Sequence, residues 1–281
     1  TFDYYKKDKL FSKNDKPSFN SKDERFVKLM VALPFLANKR AEISIGYGKL
    51  QDNYFQSSVI NFDKDCSDRS TYNLLGGAIG FYGSTLNARQ YATKGYFEKL
   101  VAQVFSGKEK FIPGNPTETS VTTKERQSWL QISYMKYAYH TMSPKFTLGW
   151  MAEMLYSSKN FSENYTATML QAADFSPTPH SKLMYNEAFR ANQFLAAGIK
   201  PIFVFNDMFQ FRSEFYGFVP IFPIKKNALN KAYYGKAFSR FEYIGEISVI
   251  CQLPFGAISA YVNHYSSPKK EWNVGLTLGW Q

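Results

Sequence analysis

Residues 271–280 read Glu-Trp-Asn-Val-Gly-Leu-Thr-Leu-Gly-Trp. Side chains alternate along a strand, so Trp272, Val274, Leu276, Leu278 and Trp280 share one face. Asn273, Gly275, Thr277 and Gly279 share the other. Eight steps of ~3.3 Å, tilted by ~40°, set the two Trp rings roughly 20 Å apart along a membrane normal. That is close to the height of the apolar band on an outer-membrane barrel, whose edges carry aromatic girdles. A half-buried strand of a soluble β-sandwich alternates in the same way, so the remaining segments decide.

Most of them repeat the pattern. Val27, Leu29, Val31 and Leu33 alternate with Lys28, Met30 and Ala32 until Pro34, where the strand is expected to end. Ala41, Ile43, Ile45 and Tyr47 oppose Glu42, Ser44, Gly46 and Gly48, and Tyr54 to Phe62 reads as a further strand. Residues 63–69 read as a charged loop, and Ser70 to Tyr82 as a glycine-rich strand whose glycines make space for a lumen plug or a bend. Further strands are read over 94–106, 129–139 and 145–156, with a long loop over 108–126 around Pro113-Gly114-Asn115-Pro116. Phe146, Leu148, Trp150, Ala152, Met154 and Tyr156 form another face with aromatics at both ends. Residues 157–188 break the rhythm; they hold a helical turn near Asn164 to Ala173 and the rigid run Ser176-Pro177-Thr178-Pro179-His180. Loops of this length are usually functional. Five strands are read after it, over 189–205, 208–219, 239–253, 256–265 and 271–280.

Eleven or twelve strands, short turns on one side and long loops on the other give an all-β fold, an antiparallel up-and-down transmembrane β-barrel. The 281 residues form one barrel domain, 1–281, with a lumen loop over 157–188. Aromatics are 18% of the chain, with 26 Phe and 20 Tyr, as two girdles require. Mean hydropathy is slightly negative and no run of ~18 apolar residues occurs, so a transmembrane helix is excluded. The net charge of +11 sits largely in expected loops and no recognition helix accompanies it. Nucleic acid is therefore set aside in favour of outer-membrane lipid and lipopolysaccharide as partners. Cys66 and Cys251 are expected as free thiols. The chain begins at Thr1 with no signal segment, which reads as an excised part of a longer protein.

Thr85-Leu86-Asn87-Ala88-Arg89-Gln90-Tyr91-Ala92-Thr93-Lys94-Gly95, Phe111-Ile112-Pro113-Gly114, Ser176 to Lys182 and Asn186-Glu187-Ala188-Phe189-Arg190-Ala191-Asn192 carry a family resemblance. They resemble the C-terminal barrel of patatin-like phospholipases of the Bacteroidetes, a barrel similar to the BamA/TamA-type surface-antigen superfamily. The resemblance implies sixteen strands in all. It also implies a lumen loop before the twelfth that carries an Arg-Gly motif. Here the Arg matches Arg190 and the Gly is replaced by Ala191. The family's hydrolase domain uses a Gly-x-Ser-x-Gly elbow and an Asp-Gly-Ala/Gly segment; neither occurs in this chain. The implied lipid acyl hydrolase therefore lies upstream. The barrel's own role is to anchor or translocate that domain in the bacterial outer membrane. The alternatives are an assembly or secretion barrel, a passive porin-like channel and a soluble β-sandwich binding module. Pairing of two barrels into a homodimer stays open.

For sites, Arg190 in a low-dielectric lumen needs carboxylates, and Glu214 and Glu242 on the next strands are the expected partners that pin the loop. Trp150, Trp272 and Trp280, together with Trp129, are read as girdle anchors. His140, His180 and His264 lack zinc-type spacing, and Ser84, Ser176 and Ser181 lack an elbow context, so no metal, cofactor or catalytic residue is expected. Glu153, Glu242 and Glu246 are read as lumen polarity.

Overall fold

The computed structural model describes residues 20–55, 66–114, 122–183, 185–267 and 272–280. Eleven strands form one antiparallel sheet in unbroken chain order. They are β1 (Asn20–Leu36), β2 (Lys39–Tyr54), β3 (Asp68–Ser84), β4 (Gly95–Ile112), β5 (Thr123–Ser143) and β6 (Phe146–Ser157). Then come β7 (Gln193–Val204), β8 (Phe209–Pro220), β9 (Glu242–Leu253), β10 (Gly256–Tyr265) and β11 (Trp272–Trp280). Tight turns join β1 to β2, β5 to β6, β7 to β8 and β9 to β10 at one end. The connections 158–192 and 221–241 lie at the other, while the loop 85–94 shares the end with the tight turns.

Several expected boundaries move, and register explains why. Pro34 does not stop β1, which runs to Leu36 through a register shift; Pro is tolerated at such an irregularity near an edge. β4 and β5 extend far into the expected 108–126 loop, because Glu109 and Phe111 continue the inward alternation and Lys110 still pairs with Lys124. Asp68 and Arg69 belong to β3, not to a loop. Tyr54 closes β2, and most of the strand expected over 54–62 falls outside the described residues. β7 and β9 begin a few residues later than read, at Gln193 and Glu242.

The sheet curls. Tyr91, between β3 and β4, has its hydroxyl 2.8 Å from Ser259 Oγ on β10. In a flat meander β3 and β10 would stand seven spacings, ~34 Å, apart. The wall is left open: among the described residues β1 pairs only with β2 and β11 only with β10.

Alternation assigns each strand an inner and an outer face. The outer rows are apolar and exposed, such as Val27, Leu29 and Val31 on β1, Ile43, Ile45 and Tyr47 on β2, and Trp272, Val274 and Leu276 on β11. Leu276 is 79% exposed and Trp272 69%. The inner faces carry most of the buried side chains.

Candidate functional site, a plugged lumen

Residues 158–192 fold back between the strands and fill much of the space they enclose. Asn164 starts helix α1 (Tyr165–Gln171) as an N-cap: its Oδ1 accepts from the Ala167 amide at 2.9 Å, satisfying one orphan donor. Its Nδ2 donates to the Tyr54 hydroxyl on β2 at 2.8 Å. Tyr72 on β3 meets Ser162 at 2.8 Å, and Tyr54, Phe111, Ala167 and Leu170 make a small apolar cluster. One side of the plug is thus tied to β2–β4 near the long-loop end.

The other side is an apolar core. Phe175, Ala188, Phe189 and Ala191 of the plug pack on Met151, Leu155, Phe194, Ala196, Tyr216, Phe218, Ile244 and Tyr265. These wall residues are the inner rows of β6 to β10. Phe175 stacks on Phe218 with centroids 5.5 Å apart. Here the plug meets the wall with aromatic rings.

The interior ion pairs differ from the expected ones. Arg190 touches neither Glu214 nor Glu242. Its Nη1 donates to the carbonyls of Met169, Leu170 and Ala172 at 3.3, 3.1 and 3.0 Å, which are the orphan acceptors at the end of α1. Its guanidinium lies over Tyr185, and its Nε is 3.8 Å from Asp174 Oδ1. A short pairing of Ala173–Asp174 with Arg190–Ala191 brings these groups together. Arg190 therefore knits the plug to itself rather than to the wall. Glu242 pairs instead with Arg240, 2.9 Å from its Nε, and Arg240 also donates to the Ala188 carbonyl. Glu214 pairs with its own strand neighbour Arg212 at 3.1 Å and accepts from the Tyr216 hydroxyl. The sequence reading missed Arg212 and Arg240 because it took the superfamily Arg as the only cation to place.

Arg212 also reaches a second plug. The loop over 85–94 enters from the short-turn end, and Arg212 donates to its Ala92 carbonyl while Gln210 donates to the Tyr91 carbonyl at 3.3 Å. Tyr91 has φ +54°, a left-handed conformation that a bulky residue adopts only when its surroundings hold it there. The two plugs meet at His180. His180 Nδ1 donates to Glu246 Oε1 at 2.8 Å, and Nε2 lies 3.2 Å from Ser259 Oγ and 3.5 Å from the Tyr91 hydroxyl. Thr178 donates to the other Glu246 oxygen at 2.9 Å, and the imidazole stacks on Tyr261 at 3.5 Å. Ser259, His180 and Glu246 stand in the order of a nucleophile, base and orienting acid. All three are buried, Ser259 to 1% exposure, and Tyr91 already occupies the hydroxyl. With both plugs seated there is no room for a substrate, so the group works as a fastening. Pro177-Thr178-Pro179-His180 was the signal for it in the sequence, together with the inward position of Glu246.

Lys159 marks the plug's other anchor. It donates to Gln171, lies over the Tyr72 and Trp129 rings at 4.7 and 5.0 Å, and burial lowers it from the usual 10.5 to about 8. Trp129 is consequently an inner-face residue, buried and stacked on Phe105 at 5.0 Å, not an outer girdle anchor. Trp150 is outward and half-buried, with Nε1 3.3 Å from His140 Nε2. Trp272 continues an outer aromatic row through His264, Tyr243 and Phe215, with successive centroids 4.8, 5.8 and 5.7 Å apart. The side chain of Trp280 lies outside the described residues. Among the described residues no cluster of His, Cys, Asp and Glu could hold a metal ion.

No family model matches the chain, and no curated protein matches it. Among solved structures it is similar to the translocator domain of the autotransporter NalP from Neisseria meningitidis, at 9% identity. That likeness covers 94% of this chain and 81% of that one, with a TM-score of 0.36, too low to carry any argument about function.

Proposed function

We propose that the chain is a plugged β-barrel domain of the bacterial outer membrane that anchors the rest of its protein and does no covalent chemistry itself. The observation that carries this is the continuous outward apolar surface. Val27, Leu29, Ile45, Ile247, Val249, Val274 and Leu276 are all exposed, and they belong to one sheet whose other face is covered by the plug from β6 to β10. Soluble proteins rarely expose apolar patches beyond a few hundred Å². Strands are also the only non-helical way to satisfy backbone groups in hydrocarbon. Trp150, Trp272 and the Phe215–Tyr243–His264 row act as interfacial girdle residues in this reading. Eleven strands with two unpaired edges suit part of a larger, even-numbered barrel, sixteen by the family resemblance.

The finer reading is that this barrel seats or passes a patatin-like lipid acyl hydrolase lying upstream. It is supported only by the segments around residues 85–95, 111–114, 176–182 and 186–192. The plug favours an anchor over an open porin, because both lumen entrances are crossed by fastened chain. The test is reconstitution into vesicles with single-channel recording. An anchor gives heat-modifiable, vesicle-bound protein with little steady conductance. Large, steady conductance contradicts the anchor, and protein that stays folded in water without detergent contradicts the membrane reading. A Gly-x-Ser-x-Gly elbow in the parent protein supports the hydrolase; a parent without one rules it out.

A further inference from the structure

The outer face of β1–β5 changes character abruptly toward the long-loop end. Val27, Tyr47, Leu75, Val104 and Leu130 end the continuous apolar rows of this face, and on β4 Ile112 follows beyond the cations. Beyond them cations stand opposite one another. Arg25 pairs in register with Lys49, Lys49 with Asn73, Asn73 with Lys108, and Lys108 with Arg126. One step further Lys110 pairs with Lys124. All six cations are exposed and share the parity of the apolar rows, so they point outward.

Like charges directly opposite destabilise a sheet, and here three such pairs occur together. Among the described residues Arg25 alone of the six has an ion-pair partner, Asp23 at 2.8 Å. Glu109 and Glu125, the carboxylates between these cations, have the opposite parity; Glu109 is buried inside and Glu125 is exposed. At the other rim outward Glu98 faces Lys136, 3.5 Å away, and accepts from Tyr134 at 2.9 Å. The cations of the patch other than Arg25 have no such ion pair among the described residues, and they lie directly beside the outward apolar surface. In outer-membrane barrels the short turns are periplasmic and the long loops extracellular, which puts this rim at the outer leaflet.

We propose that Lys108, Arg126, Lys110 and Lys124, extended by Arg25 and Lys49, bind the phosphates of an outer-leaflet phosphoglycolipid of the lipid A type. This rests on the membrane reading above. Paired strands stand about 4.8 Å apart, so two opposed cations converge on one phosphate monoester. The two pairs on β4 and β5 lie two residues apart, ~7 Å along the strand, within the span of a headgroup carrying two phosphates. Acyl chains would then lie on Val104, Leu130 and Leu75, immediately below.

The test uses the full chain folded in detergent, titrated with diphosphoryl lipid A, with the same lipid stripped of phosphate, and with phosphatidylethanolamine, read by native mass spectrometry. Wild type is expected to retain diphosphoryl lipid A at least tenfold more tightly than the other two. Lys108→Gln/Lys110→Gln/Lys124→Gln/Arg126→Gln should lose that preference, while Lys39→Gln/Lys145→Gln at the short-turn rim keeps it. The fourfold Lys/Arg swap, Lys→Arg at 108, 110 and 124 with Arg126→Lys, should restore it. Folding of each variant is followed by heat-modifiable mobility; should the quadruple variant not fold, the Lys110→Gln/Lys124→Gln pair is read alone. Equal retention by the neutralised variant, or equal binding of the stripped lipid, overturns the proposal. Both outcomes leave a protein that still requires detergent, and so differ from failure of the membrane reading itself.

Discussion

The two arcs of the wall solve the interior differently. From β6 to β10 the plug covers the inner rows: Phe194, Phe218 and Ile244 are fully buried under Phe175 and Phe189, and Arg212, Glu214 and Glu246 are buried on the same face. Along β1 to β3 much of the inner face stays uncovered, with Phe26 69% and Met30 52% exposed. Ser44, Gly46, Gly48, Leu74, Gly76 and Gln103 border a groove of about 220 Å³. Phe105 lies over Gly76 so closely that a Cβ there would sit 2.9 Å from its ring. Gly76 thus makes room for an aromatic ring, whereas Gly46 lies against the Val27 carbonyl, 3.0 Å from where a Cβ would stand. An inner wall is buried where chain returns to cover it, and stays open where none does.

That contrast predicts unequal penalties. Phe175→Ala or Phe189→Ala removes a ring from a filled core and should cost ~3–5 kcal/mol in urea refolding titrations. Phe26→Ala, on β1 with its ring 69% exposed, should cost less than ~1 kcal/mol in water-facing terms. Equal penalties would break the distinction between the arcs. Arg212→Met removes the guanidinium paired with buried Glu214, which keeps only the Tyr216 hydroxyl and the nearby Lys200, and frees the 85–94 loop; it should cost ~3 kcal/mol and raise ion conductance through the lumen.

A third test sharpens the role of the plug. Arg190 and Glu214 are not in contact, so Arg190→Glu and Glu214→Arg should be additive within ~0.5 kcal/mol, with no rescue in the double variant. Recovery of stability in the double variant would restore the pairing expected from sequence. The last test concerns Lys159. Its proton is held more weakly in the folded protein, to about 8, than in the unfolded chain at 10.5. Between those values the unfolded state binds more protons, so stability rises with pH through that window. The stability of wild type relative to Lys159→Met should therefore climb from pH 8 to 10.5, and a flat difference would contradict the buried, depressed lysine.

Period-two alternation made the wall legible in the sequence, because a strand with one face in hydrocarbon must repeat every second residue. Rows such as Ile43-Ile45-Tyr47 and Val274-Leu276-Leu278 could be read directly. Strand ends were not legible where polar residues continue a strand past the apolar band, as at Lys108–Ile112 on β4. The plug was legible as an interruption with a helical turn near Asn164 to Ala173, but its partners were not. Which Arg meets which Glu depends on how the loop returns: Arg190 turned to the carbonyls of α1, and Arg240 took Glu242. The fastening at His180 joins residues 168 positions apart at its widest, Tyr91 to Ser259, and no local pattern encodes such a contact.

The central claim is that the exposed rows face lipid. Single spin labels at positions 45, 247, 274 and 276 in vesicle-reconstituted protein, with Cys66 and Cys251 replaced by Ser, test it directly by collision with oxygen and with a polar nickel chelate. High oxygen and low nickel accessibility at all four, with the reverse at position 110, is the predicted result. Nickel accessibility at 274 and 276 equal to that at 110 would place those rows in water and contradict the account.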